Sequence, residues 1–64
     1  MLENNTYNLM MQLTEEHKSL WRIKLHYMKD AENSEEARKF WTKMEKDKEE
    51  HINELTALIK EHMK

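Results

Sequence analysis

Apolar positions recur at helical spacing along nearly the whole chain, and their pattern changes phase once. In the first half a stripe runs Met10, Leu13, His17, Leu20, Lys24, Tyr27, Ala31. Continued without a break, the same spacing would carry Arg38 and Glu45 into a core, whereas the apolar residues there are their neighbours Ala37 and Met44. A shift of this kind is what a turn between two helices produces. The stretch from Lys29 to Ser34 is where it falls. Asn33 and Ser34 are both short polar residues able to cap a helix N-terminus, with Glu35 and Glu36 placed to favour the first turn. Asn33 is also the non-glycine residue best suited to a left-handed helix end. The pattern therefore predicts helix 1 over about 5–30, a turn at about 31–34 and helix 2 over about 35–63. Asn4, Asn5 and Thr6 are the candidate caps of helix 1.

Both predicted helices have wide apolar arcs. In helix 1, Leu9, Leu13, Leu20, Ile23 and Tyr27 form one flank and Met10, Trp21 and Met28 the other, together covering about 160° on a wheel of 100° per residue. Helix 2 centres on Ala37, Trp41, Met44, Lys48, His51, Leu55, Leu58 and His62, widened by Phe40, Ile52 and Ile59. Two such arcs are more than one hairpin can cover. The expectation is an all-α fold, an antiparallel helical hairpin that dimerises into a four-helix bundle. Folding the chain at the turn pairs residues whose numbers add to about 68: Ala31 with Ala37, Tyr27 with Trp41, Leu13 with Leu55, Met10 with Leu58. The same arithmetic sets His17 opposite His51, Lys48 opposite Leu20 and Lys24 opposite Met44. A polar layer is thus expected across the middle of an apolar hairpin.

Composition narrows the function classes. The 64 residues suffice for one domain with a thin core. Charged residues make up 38%, yet the net charge is only -2, and lysines alternate with glutamates along the helices, so no basic stripe is available to follow phosphates. Nucleic acid is not an expected partner. The absence of cysteine removes disulfides and thiolate metal sites. No stretch is long and apolar enough to span a membrane, and Met1 to Thr6 has no signal-peptide pattern, so a cytoplasmic location is the default expectation.

The polar layer is the one constellation with candidate chemistry. His17 and His51 at one level present two imidazoles, the nearest carboxylates being Glu16 beside His17, and Asp47 and Glu54 at helical spacing from His51. The stretches Thr14-Glu15-Glu16-His17 and Glu45-Lys46-Asp47-Lys48-Glu49-Glu50-His51 resemble the inner segments of a ferritin-like, rubrerythrin-type four-helix bundle. That resemblance implies a redox-active bundle in which each hairpin supplies a glutamate from its first helix and a Glu-x-x-His pair from its second to two metal ions; on this chain the candidate ligands to iron or zinc are His17 and His51, with Glu16, Asp47 and Glu54 beside them. Three residues before His51, where the family has a glutamate, this chain has Lys48. The same side chains otherwise form a hydrogen-bonded layer that fixes register. With a lysine inside the ligand set, the preferred expectation is a small self-associating structural or interaction module without catalytic activity, whose partner is another copy or another helical protein. The metal-binding bundle is the alternative.

Overall fold

The computed structural model describes residues 3–63, and among them every residue belongs to a helix, the turn or a cap. Helix α1 spans Asn4–Arg22, a π-helical segment covers Ile23–Tyr27, and a last turn, α2, spans Met28–Asp30. These three run on without interruption as the first arm. After a turn at 31–33, α3 spans Glu35–His62 and forms the second arm. The arms pack antiparallel into a hairpin of 48 × 16 × 13 Å.

Ser34 is the cap of α3. Its backbone is extended and its hydroxyl accepts a hydrogen bond from the Ala37 amide at 3.2 Å, satisfying one of the free donors of the first turn. Glu35 and Glu36 follow, in the positive end of the helix dipole. The reversal itself closes on Ser34 N–H to Ala31 C=O and Glu32 N–H to Lys29 C=O bonds, of 2.9 and 3.2 Å. No described residue has positive φ, so Asn33 does not take the left-handed conformation expected of it. At the other end α1 starts beside the expected caps, but the cap position is Glu3, which makes no side-chain capping bond.

The residues that meet across the hairpin repeat at seven. In the first arm the inward line is Thr6, Leu9, Leu13, Glu16, Leu20, Ile23 and Tyr27; in α3 it is Trp41, Glu45, Lys48, Ile52, Leu55 and Ile59, each buried or half-buried. Alternate steps of three and four are those of a left-handed pair of helices. Tyr27 and Trp41 pack ring to ring at 4.9 Å, and Ile23, Ala31 and Ile59 are the buried apolar side chains among the described residues. Burying Ile23 alone is worth about 1.5–3 kcal/mol. The expected register holds: Tyr27 with Trp41, Glu16 with His51 and Asn5 with His62 are in contact, and their numbers add to 67 or 68.

Both arms differ from expectation on one flank: in α3 His51, Leu58 and His62 of the expected centre line are exposed, while Ile52 and Ile59, expected at its margin, turn inward. The line Leu13, Leu20, Tyr27 faces inward as predicted, with Leu9 and Met10 both half-buried, but Glu16 and Ile23 are buried where His17 and Lys24 were expected, and those two are exposed. The arc of helix 1 is wide enough to dock on either side, and burying Ile23 with Leu9 removes more apolar surface than burying Lys24 with His17. The π segment then adjusts the phase. Met28 N–H bonds to Ile23 C=O, five residues back, which takes up one extra residue, so that Ala31 and not Asp30 turns inward at the hairpin's closed end. The wider turn also brings Trp21 edge-on to His26 at 5.3 Å, a pair five residues apart that an α-helix would hold on different faces.

Candidate functional site

Glu16 occupies an inward position of α1 between Leu13 and Leu20, and only 6% of its surface is exposed. Across from it α3 supplies Lys48 and His51. The Lys48 ammonium lies 2.7 Å from Glu16 Oε2, an ion pair at hydrogen-bonding distance. The other oxygen, Oε1, accepts from Gln12 Nε2 at 3.3 Å and from His51 Nδ1 at 3.1 Å. An ionised carboxylate has no proton to give, so His51 Nδ1 carries the hydrogen. Lys48 is itself mostly covered, its methylenes lying along the seam while its charge meets Glu16.

Burial alone raises the pKa of Glu16. The ammonium of Lys48 at 2.7 Å, with the donors on Gln12 and His51, outweighs that effect and holds the carboxyl below its ordinary value. The group is therefore ionised at neutral pH, and a carboxylate so stabilised has too little proton affinity to serve there as an effective general base. On the other edge of the seam Lys24 reaches Glu45 at 3.8 Å and Glu49 at 3.5 Å. These side chains are partly solvated, and such pairs contribute little each. At the open end His62 lies between Asn5, at 3.4 Å, and Glu3, at 3.8 Å.

The five candidate ligands are only partly brought together. Glu16 and His51 are in contact. His17 is exposed on the outer side of α1, beside Lys18, Trp21 and Arg22, and does not face His51. Asp47 is half-buried and Glu54 exposed, and neither is bonded to the Glu16 cluster. No group of three His, Cys, Asp or Glu side chains placed to hold a metal ion occurs among the described residues. A cation at Glu16 would also have to displace the ammonium already there. Comparison with protein-family models, curated proteins and solved structures found no match. The chemistry must be read from the side chains themselves.

What they form is a charged clamp in the middle of an apolar seam. Sequence reasoning placed Glu16 at the edge of the layer and Lys48 opposite Leu20. The signal that finds the pair is the seven-residue repeat of Leu9, Glu16 and Ile23, set against the only inward lysine of α3, which has the opposite sign. A second feature is the row of large apolar side chains left on the surface of the first arm: Tyr7, Met11, Trp21 and Leu25 are all about half exposed. No helix of the described residues is long and apolar enough to cross a membrane.

Proposed function

We propose that the chain is a small self-associating helical module, structural or interaction in role and without catalytic activity of its own, in which two hairpins form a four-helix assembly. The observation that carries this reading is the surface. A compact chain of 7.9 kDa exposes about 4,400 Å². This one exposes 5223 Å², and the excess of about 800 Å² matches what one partner contributes to an interface of standard size. The radius of gyration, 14.5 Å against about 10.7 Å for a compact chain of this length, points the same way. Half-exposed Trp and Tyr side chains are the residues that anchor protein interfaces.

The alternative, an iron- or zinc-binding bundle, draws on the 3.1 Å contact of Glu16 with His51. It ranks second because Lys48 already neutralises Glu16 and His17 lies elsewhere. Native mass spectrometry at micromolar concentration, with and without added iron or zinc, tests both. The expected spectrum is a metal-free dimer. A monomer at every concentration contradicts self-association, and a stoichiometric metal lost on His51→Ala establishes the alternative.

A further inference from the structure

The first arm has two seams. Besides the inner line that meets α3, an outer line runs Tyr7, Met11, Thr14, Lys18, Trp21, Leu25, again in alternate steps of four and three, and every member is exposed. On a helical wheel its centre lies roughly 150° from the inner line, so α3 of the same chain cannot cover it. Thr14 is apolar in effect here: its hydroxyl donates back to Met10 C=O at 3.1 Å, which leaves the methyl group to the surface. The outward line of α3 is different in kind. Lys39, Lys43, Lys46, Glu50, Asn53 and Ala57 are exposed and almost all polar or charged. One arm is thus apolar on both sides and the other on one side only.

We propose that this outer seam of α1 is the surface on which a second copy of the chain docks, with the two α1 helices antiparallel, giving a row of four helices with the α1 pair in the middle. The inference rests on the self-association reading and names the face and the orientation. Antiparallel packing matches the residues well. Tyr7 meets Leu25 of the second copy, Met11 meets its Trp21, and Thr14 meets its Lys18, so each aromatic ring faces an aliphatic chain and the two-fold axis repeats all three layers. Parallel packing would instead stack Lys18 on Lys18 at the centre of the seam. In the antiparallel arrangement Lys18 lies beside Thr14 and Glu15 of the second copy, and Glu15 already attracts the Lys18 of its own chain at 3.7 Å. A single lysine within an apolar seam is also a known means of fixing register and copy number. The other exposed apolar residues fit less well. Phe40 and Leu58 stand apart, because Asp47, His51 and Glu54 lie between them along the same flank.

The test compares four variants of the full chain by sedimentation equilibrium, with circular dichroism to confirm that each stays helical. Trp21→Glu and Leu25→Glu, exposed in the hairpin and absent from its core, are expected to weaken dimerisation at least tenfold each; Phe40→Glu and Leu58→Glu are expected to leave it within about twofold. Dimers that survive both outer-seam substitutions, or that are lost on Leu58→Glu, overturn the inference while self-association stands. A wild-type chain that never dimerises overturns both. Orientation has its own readout because the chain lacks cysteine. Glu15→Cys lies near the proposed two-fold axis and is expected to join copies through a short thiol cross-linker, whereas Met11→Cys does not. The reverse pattern shows parallel helices and rejects the proposal.

Discussion

Glu16 stands where a leucine would otherwise pack, and the consequences are those of a buried charge. Removing water from the carboxylate costs energy that Lys48, Gln12 and His51 offset. Because the folded pKa lies below the ordinary value of 4.5, the pairing contributes fully above that pH and is lost as pH falls through the lowered value. Thermal unfolding followed from pH 7 to pH 2 should therefore show a loss of stability on the acid side. In the double variant Glu16→Leu/Lys48→Leu that acid limb should be shallower, and stability at pH 7 equal to the parent's or higher by about 1–4 kcal/mol. Glu16→Leu alone should be less stable than either, since it leaves Lys48 half inside the seam without a counter-charge. A double variant weaker than the single one would show that the clamp is more than a tolerated polar pair. The line Leu13, Leu20, Tyr27 was legible in the sequence, but the choice between Glu16 and His17 as its companion was not. These neighbours border the same wide arc; burial of Ile23 favours the side that turns Glu16 inward, and the positive charge that makes this tolerable lies 32 residues further on, in the other helix.

The two arms differ in how plainly their ends are written. Ser34-Glu35-Glu36 marks the start of α3, and the cap is found there. Ser34→Ala should cost about 1 kcal/mol in urea unfolding, while Ser34→Asp, which keeps an acceptor, should cost much less. Equal losses in both would mean that the hydroxyl's bond to Ala37 contributes little. The π segment of the first arm could not have been read from the sequence. Neither glycine nor proline marks it, and each of its residues forms ordinary helix elsewhere. It exists because two tertiary demands, Ile23 inward at its start and Ala31 inward after it, are out of phase by one residue.

At the scale of the molecule, the hairpin and its register follow from one turn and two stripes, and both were legible. The outer seam was only half so. Trp21 was recognisable as a flank of a wide arc, but whether that flank closes on α3 or remains outside depends on which side of α1 the hairpin uses. Only the packed chain decides it. An elongated body of 48 × 16 × 13 Å with three buried apolar side chains among its described residues gains stability from any partner that binds the folded state alone. Calorimetry at about 10 μM and about 1 mM should accordingly give a melting temperature several degrees higher in the concentrated sample. Identical values at the two concentrations would speak for a chain that is stable alone.

The single reversal at residues 31–33 also sets an order in time. Tyr27 and Trp41 are 14 residues apart along the chain, Glu16 and His51 are 35 apart, and Asn5 and His62 are 57 apart. The entropy lost in bringing such pairs together grows with the intervening length, by about 0.6 kcal/mol for each doubling. Contacts next to the reversal therefore form first, and each shortens the loop that the next must close. Folding is expected to proceed as a zipper, on the microsecond-to-millisecond scale of local helical folds. Opening should run the other way, and hydrogen exchange is expected to show amides near Asn5 and His62 exchanging long before those around Tyr27 and Trp41.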